Sequence, residues 1–341
     1  MSDIAALVRS LDGMAQKQQL VRRGARDLDL TRAVKHGDVI RARQGWYTTL
    51  PERDPRVRAV RVGGRLTGIS AVSALGGWVL DEHPLHVSLP TNASRSRSQW
   101  DRHKPIAASN TRGVIRHWDP PDVSDHGTTV AVSLTDALIR VVVDEPLEVA
   151  VAALDWATHT RMLDLFDFEA LLLKLPTNRR YIGRWVDPEC ESLPESLART
   201  RLRMRGHSVR GQVPLRTGER IDLVVDECVA IETDGEQFHL ASFERDRRKD
   251  AEIAIAGLHG LRPSARMVFH EWPLVELAVE TAVATRRPGL RFGNSGVRIP
   301  ARRNIRINSA LRRAGIAQIP EFPKAPSLGE GQRGIRAAPS G

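Results

Sequence analysis

Residues 220–234 read RIDLVVDECVAIETD, and they hold two strand-like apolar runs separated by a three-residue polar turn. A connection of this length pairs Val225 with Val229. Counting back along both strands then places Asp222 opposite Glu232, with side-chain bases about 5 Å apart on one face of the hairpin. The segment therefore predicts a β-hairpin that carries two carboxylates side by side.

Asp234 follows Glu232 by two residues, so the strand period turns its side chain to the same face. Three anions a few ångströms apart repel one another and raise one another's pKa unless a cation neutralises them. Mg²⁺ or Mn²⁺ suits such an oxygen-rich pocket, and either ion can activate water for attack on a phosphodiester. The opposite face is predicted to carry Ile221, Leu223, Ile231 and Thr233.

Two residues outside the hairpin are further candidates for this chemistry. His239 stands five residues beyond Asp234 and is predicted to act as general base or phosphate ligand. Ser192 and Glu195 have the S-x-x-E spacing of a capping box, which predicts a helix over 193–205 that stops at a glycine. Glu195 therefore has two interpretations, as a capping partner or as a metal contact.

Several sequence segments occur in an order that resembles a known family. PESLARTRLRMRGHSVRGQV, RIDLVV, VAIETDGEQFH, FERDRRKDAEIAIAG and FHEWPLVELAV are similar to domains related to the very-short-patch repair endonuclease, of the PD-(D/E)xK superfamily. The resemblance implies that Asp222 binds metal, that Glu195 matches an acidic position of the first helix, and that a histidine belongs at His239. It also implies that Arg247 and Arg248 lie on a helix near phosphates, for which a solvated helix face is the alternative.

The sequence departs from the family in two places. The lysine of a standard ExK motif is absent, because Glu232 is followed by Thr233 and then Asp234. The last core strand is replaced by LHGLRPSAR, in which Gly260 and Pro263 are unsuited to a central strand. We therefore expect that final strand to be disrupted and the positive charge of the lysine to be missing or supplied from elsewhere.

The N-terminal 55 residues have the pattern of a winged helix, with three short helices followed by a basic hairpin that turns at Gln44 and Gly45. Basic side chains on the third helix and the hairpin are candidates for DNA phosphate contacts, and a solvated basic surface on a protein-binding domain is the alternative. The predicted helices are Ile4–Leu11, Ala15–Arg23 and a third from Asp29 or Thr31 through Lys35. The candidate contacts are Arg26, Arg32, Lys35, Arg41 and Arg43.

The words QLVRRG and RAVKHGDVIRARQGWY in this region resemble the N-terminal winged helix of AbiEi-type antitoxins of type IV toxin-antitoxin systems. That resemblance implies a transcriptional regulator with a cognate toxin protein as partner.

The middle of the chain, residues 60–188, is predicted to be a mixed α/β domain. A helix is expected from Thr67 or Ser70, strands are expected at HVSLP and VIRHW, and TTVAVSLTDALIRVVV is expected to join a strand to a helix opened at Thr135 and Asp136. The segment PTNASRSRSQWDRH is a loop whose arginines either touch DNA or belong to a mobile surface.

Charge and cysteine content exclude some classes of protein. Residues 286–341 contain 12 basic and 2 acidic residues, so this Gly/Pro-rich tail, predicted to be disordered, carries the whole net charge of +10. Cys190 and Cys228 lack the spacing of a zinc or disulfide framework. The N-terminus lacks the order of a signal peptide, and every long apolar run contains Asp or Arg, which predicts a cytoplasmic protein with no membrane partner.

The sequence as a whole predicts an α/β protein with a winged helix at 1–55, a mixed α/β middle domain at 60–188, a restriction-endonuclease-like α/β domain at 190–285 and a basic tail at 286–341. The predicted activity is Mg²⁺-dependent (or Mn²⁺-dependent) hydrolysis of DNA. A non-catalytic, antitoxin-like transcriptional regulator and a protein-interaction scaffold are the alternatives. The oligomeric state is left open.

Overall fold

The computed structural model describes residues 3–80, 83–107, 109, 111–120, 126–233 and 243–286. Within them the chain is α/β, with helices and three separate β-sheets of three, three and four strands. The part up to Leu197 belongs to one compact unit, and the part from Ala198 onward belongs to a second. Each unit is described by itself below.

The first unit begins with helices packed on a small antiparallel sheet of order β1-β3-β2. The core between them includes Val8, Leu20, Leu30 and Tyr47. Gly37 ends the third helix with a φ of +82°, a left-handed conformation that glycine adopts without steric strain. The elements are α1 (Ile4–Arg9), β1 (Met14–Gln16), α2 (Lys17–Arg22), α3 (Asp27–His36), β2 (Ile40–Arg43) and β3 (Trp46–Thr48).

The hairpin and three helices agree with the sequence prediction, but the second helix begins later than expected. Ala15 and Gln16, predicted to be helical, lie in β1 and pair with Tyr47 and Trp46. Gln16 has an extended backbone and forms a capping box with Gln19 at the start of α2. The helical pattern from Ala15 was therefore misleading for its first two residues, because tertiary strand pairing overrides local propensity there.

The middle of the unit contains a second sheet, of order β4-β5-β6, in which β5 and β6 run parallel. Thr67 precedes the helix after β4, as predicted, while Ser133 rather than Thr135 caps the next helix by accepting from the amide of Asp136. The strand expected before that helix is reduced to an isolated bridge between Leu66 and Ala131. The elements are α4 (Pro55–Val62), β4 (Arg65–Leu66), α5 (Gly68–Ala74), β5 (Leu85–Pro90), β6 (Val114–Asp119) and α6 (Leu134–Asp144).

The unit ends in a helical layer organised by a buried carboxylate. Asp155 is fully buried, and its two oxygens accept hydrogen bonds from the Asp187 amide at 2.7 Å and the Ser196 hydroxyl at 2.5 Å. Because an unpaired buried carboxylate is costly, these contacts stabilise the packing of the layer. The elements are α7 (Leu147–His159), α8 (Leu165–Lys174), a 3₁₀ helix (Thr177–Arg184) and the first turn of α9 (Leu193–Met204).

The second unit contains the rest of α9 and a four-stranded sheet of order β10-β9-β8-β7. Ile253 on the helix between β9 and β10 packs with Val224 and Ala230 of the sheet. Successive strands from β7 to β9 are antiparallel, whereas β10 returns parallel to β9 after that helix. The elements are β7 (Val209–Pro214), β8 (Arg220–Val225), β9 (Val229–Ile231), α10 (Phe243–Ile255), β10 (His259–Leu261), α11 (Ala265–His270) and α12 (Trp272–Thr285).

The last strand was expected to be disrupted, and that prediction is wrong. β10 forms and pairs His259 with Val229 and Leu261 with Ile231. Within the described residues it lies at the edge of the sheet and ends two residues before Pro263. Glycine and a following proline are tolerated at such an edge, so the objection that applied to a central strand does not apply here.

Among the described helices, none is long and apolar enough to cross a membrane. Neither Cys190, which is buried and donates from its thiol to the Ser192 carbonyl at 3.5 Å, nor Cys228, which is partly exposed, forms a disulfide within the described residues.

Candidate functional site

The hairpin of the second unit has the predicted register. Val225 pairs with Val229 and Leu223 with Ile231. Glu232 follows the last residue of β9, and its amide still donates to the Leu261 carbonyl of β10 at 3.0 Å. It lies near Asp222, since burial and next the negative charge of Asp222 raise the pKa of Glu232.

The two carboxylate oxygens of the buried Glu232 have different environments. The residue is only 5 % exposed, and its Oε2 accepts a hydrogen bond from the ammonium of Lys249. Its Oε1 has no hydrogen-bond partner among the described residues. A buried carboxylate oxygen without a donor is unfavourable, so this oxygen is placed to accept a ligand or a cation.

The environment of Glu232 also changes its protonation. Burial, and next the charge of Asp222, raise the pKa of Glu232 to about 7, against the lowering effects of Lys249 and Arg262. At neutral pH this side chain is therefore close to the midpoint of its titration. Groups poised in this way are enriched at functional sites, because a nearby ligand or cation can change their protonation.

Asp222 is held in place by the residue that follows Glu232. Its Oδ2 accepts from the amide of Thr233 at 2.8 Å and from the hydroxyl of Thr233 at 3.1 Å. The prediction that Thr233 lies on the opposite face with Ile221 and Leu223 is wrong. β9 ends at Ile231, so the strict alternation of a strand no longer directs the threonine side chain.

Lys249 is the residue that sequence reasoning missed. It lies on α10 one turn before Ile253, whose side chain is buried against the sheet, so both point toward the same face. Its side chain is 16 % exposed and contacts Glu232. The i, i+4 spacing of Lys249 to Ile253 is the sequence signal that could have indicated this contact.

Glu195 occupies the capping position that the sequence predicts for it. It is buried, its Oε2 accepts from the amide of Glu191 at 2.9 Å, and its own amide donates to the hydroxyl of Ser192 at 3.3 Å. These are hydrogen bonds around the N-terminus of α9, which begins at Leu193. The capping interpretation has direct structural support, and the metal contact stays a prediction.

Four further site residues predicted from the sequence belong to the part of the chain after Leu197. Asp234 and His239 lie outside the described residues. Arg247 and Arg248 are exposed on α10. Asp250 on the same helix forms an ion pair with Arg262 at 2.7 Å, so part of the acidic and basic pattern of this helix is used within the fold.

The basic candidates of the N-terminal region separate into exposed and engaged side chains. Arg32 and Lys35 on α3 and Arg41 on β2 are exposed. Arg26 is also exposed, and it forms an ion pair with the buried Asp29 at 3.2 Å. Exposed cations on one helix and the following strand are available to an anionic partner.

Arg43 has a structural environment instead. Its guanidinium donates to the carbonyls of Arg61 at 2.9 Å and Arg95 at 2.7 Å, and burial lowers its pKa. Arg102 similarly donates to the carbonyl of Arg41 at 2.6 Å. The loop PTNASRSRSQWDRH is therefore packed against the β2–β3 hairpin, and two of its residues contact it directly.

A second group of side chains, in the first unit, was not anticipated from the sequence. His86, His117 and Asp144 place their ligand atoms within 4.8 Å of one another and could hold a metal ion. The two histidines belong to the predicted strand segments HVSLP and VIRHW. Parallel pairing of those strands, which the two segments alone do not reveal, brings the histidines together.

Comparison of the chain with protein-family models and with curated proteins gave no match.

Proposed function

We propose that the second unit hydrolyses DNA phosphodiester bonds with the help of a bound Mg²⁺ or Mn²⁺ ion at Asp222 and Glu232. The observation that carries this proposal is the constellation of the two neighbouring carboxylates with Lys249. Paired acids on neighbouring strands, next to a lysine, are the arrangement used by PD-(D/E)xK nucleases, which the sequence resembles. The sheet, with α9 before it and α10 between its last two strands, supports a restriction-endonuclease-like domain.

The residues present fit a hard divalent cation. Asp222 and Glu232 offer carboxylate oxygens, the ligand type that Mg²⁺ and Mn²⁺ prefer, and Glu232 Oε1 has no partner among the described residues. Burial and next the repulsion from Asp222 raise the pKa of Glu232, and positive charge at this position would offset both. When bound, the ion supplies activation of water and charge stabilisation at the attacked phosphate.

The protein side chains then have separate roles. Asp222, which would hold the cation, is fixed by Thr233 and cannot rotate away without losing two hydrogen bonds. Lys249, anchored by Glu232, presents a positive charge next to the position of the phosphate oxygens. Asp234 is proposed to complete the acidic group, and His239 to act as base or phosphate ligand.

Digestion of supercoiled plasmid tests the proposal directly. Purified protein with Mg²⁺ or Mn²⁺ is expected to convert supercoiled DNA to nicked or linear product, and excess EDTA is expected to prevent it. If the full-length protein leaves the plasmid supercoiled with every divalent ion offered, the nuclease proposal is rejected.

A second candidate function is supported by the N-terminal region, which we propose to be a DNA-binding winged helix of the antitoxin-like type. The element order α1, β1, α2, α3, β2, β3 with sheet order β1-β3-β2 supports this interpretation. Arg32 and Lys35 project from α3, and Arg41 projects from the hairpin that would form the wing. A regulator of this kind needs neither metal nor the carboxylate pair of the second unit, and a toxin protein would be its partner.

Salt dependence distinguishes this DNA contact from a solvated basic surface. Replacing Arg32, Lys35 and Arg41 together by alanine is expected to weaken binding to duplex DNA and to reduce the slope of log K against log[salt] by about 3, since each phosphate contact contributes about 0.9. Fluorescence anisotropy from 50 to 300 mM salt, as an experimental range, measures the slope.

Lys174→Ala is the matched control for this experiment, because it removes an exposed cation from α8 of the same unit. It is expected to leave the slope unchanged. An unaltered slope in the triple variant would assign DNA binding, if present, to other residues.

A further inference from the structure

Two histidines of the first unit lie next to each other in its parallel strand pair. In the register of β5 and β6, His86 faces Ile115 and Ser88 faces His117. Since His86 and Ser88 are two residues apart on β5, both histidines lie on the same face of the sheet. Their rings are 5.2 Å apart between centroids, and Nδ1 of His86 is 3.3 Å from Nε2 of His117.

The end of α6 brings two carboxylates to the histidines. Asp144 Oδ2 lies 3.7 Å from Nδ1 of His117, and Glu145 Oε1 lies 3.6 Å from Nε2 of His86. α6 has no basic residue in its last turn, although the C-terminal end of a helix carries partial negative charge. Two acids at that end repel each other and the partial negative charge of the helix terminus. A cation would relieve this repulsion.

The charged side chains around His86, His117 and Asp144 are compatible with a bound divalent ion. The nearest guanidinium, Arg140, is paired with the buried Asp119 at 2.7 Å and lies 3.9 Å from Asp144. Two carboxylates, those of Asp119 and Asp144, thus share one guanidinium, and a third, that of Glu145, lies beside His86. Asp119 Oδ2 has no hydrogen-bond partner among the described residues although the residue is 1 % exposed. Excess negative charge in a buried position favours bound positive charge.

The distances also suit a metal with short bonds to nitrogen. Metal–nitrogen distances of about 2.0–2.1 Å in a tetrahedral site separate two ligand nitrogens by about 3.3 Å, which is the separation between His86 Nδ1 and His117 Nε2.

We propose that His86, His117 and Asp144 form a binding site for one transition-metal ion of the Zn²⁺ type, with Glu145 orienting the imidazole of His86. Imidazole ligands select this class of ion over Mg²⁺, so the site is chemically different from the carboxylate pair of the second unit. Three protein ligands leave a position open for water or a further ligand. A carboxylate that accepts from the second nitrogen of a ligating histidine is the usual support of such sites.

Metal titration of tag-free, full-length protein tests the site. The protein carries Asp222→Asn so that binding at the second unit is weakened, and it is stripped with a chelator before use. Zn²⁺ is titrated in competition with a chromophoric chelator, and Co²⁺ binding is followed by its visible absorption. We expect one equivalent of Zn²⁺, and a Co²⁺ spectrum of the intense kind given by low-coordinate nitrogen and oxygen sites.

Variants locate the ion. His117→Gln and Asp144→Asn are each expected to weaken Zn²⁺ binding by about 100-fold or more, and Glu145→Gln by about 10-fold, since second-shell losses typically amount to 10–100-fold. His103→Gln, at an exposed histidine of the same unit, is the control and is expected to bind as before. Circular dichroism of each metal-free variant shows whether its fold is retained.

Three results would overturn the proposal. These are the absence of a stoichiometric Zn²⁺ site in the parent protein, an unchanged affinity in folded His117→Gln and Asp144→Asn, and an equal loss in His103→Gln. The first result would mean that the two histidines form a metal-free hydrogen-bonded pair. Because the experiment measures metal binding at the first unit, a failure of plasmid nicking would not affect its outcome.

Discussion

Lys249→Met is expected to lower the rate of metal-dependent plasmid nicking by about 10²–10³-fold, the loss typical when one preorganised group that stabilises transition-state charge is removed. Lys249 contacts Glu232 from α10, and under the proposed function it supplies the positive charge of the lysine that is absent from the ExK motif. Methionine retains most of the side-chain volume without the charge. The measurement is the first-order rate of loss of supercoiled DNA, with protein in excess and Mg²⁺ saturating.

Arg245→Met is the matched control for that experiment. Arg245 lies one turn earlier on α10, is 76 % exposed, and forms an ion pair with Glu219 at 2.7 Å. This variant removes the same charge from the same helix but leaves Glu232 paired, so a rate within a few-fold of the parent is expected. Equal losses in both variants would show that α10 contributes only general positive charge, and Lys249 would have no specific role.

Lys249→Arg separates charge from geometry. Arginine keeps the positive charge but spreads it over a planar group that does not present a compact ammonium. Partial recovery relative to Lys249→Met is expected if electrostatic stabilisation is the main contribution. Binding of Mn²⁺ by calorimetry should be retained in the methionine variant at alkaline pH, because Asp222 and Glu232 remain.

The carboxylate pair could be predicted from the sequence because it depends on local geometry. A three-residue turn fixes which residues face each other, and a two-residue strand period fixes the face, so Asp222 and Glu232 follow from counting. The same reasoning failed for Thr233. β9 ends at Ile231, and Glu232 still pairs with β10 through its amide, whereas Thr233 turns to donate to Asp222. Strand ends are the least predictable part of a pattern.

Contacts between distant segments could not be predicted in the same way. The pairing of Lys249 with Glu232 depends on how α10 crosses the sheet, and the pairing of His86 with His117 depends on two strands 31 residues apart being adjacent and parallel. No local periodicity contains that information. The error about β10 has a related origin, because Gly260 was judged as part of a central strand when its position in the sheet was unknown.

The raised pKa of Glu232 predicts a second large effect, on the free energy of unfolding. Glu232 has a pKa of about 7 in the folded protein against an ordinary value of 4.5 in the unfolded chain. Between these two values unfolding releases a proton, so the contribution of Glu232 to stability is present at low pH and is lost as pH rises through about 7. From pH 5 to pH 8 the loss amounts to about 2 to 3 kcal/mol.

Glu232→Gln isolates this contribution, because glutamine does not titrate. Denaturant unfolding in EDTA is followed for the parent and the variant at several pH values, and the difference between their free energies of unfolding is compared. The variant is expected to gain about 2 to 3 kcal/mol relative to the parent from pH 5 to pH 8. Glu244→Gln, at an exposed acid on α10, controls for the loss of a carboxylate in general.

Adding Mn²⁺ should reverse the pH dependence of the parent protein. A cation at Asp222 and Glu232 binds the ionised carboxylates, so it stabilises the folded state more at pH 8 than at pH 5, where protons compete with it. The Gln variant is expected to respond weakly at both values. If the difference in free energy of unfolding between the parent and Glu232→Gln does not change with pH, Lys249 alone keeps Glu232 ionised throughout. The pocket would then have no electrostatic need for a metal ion.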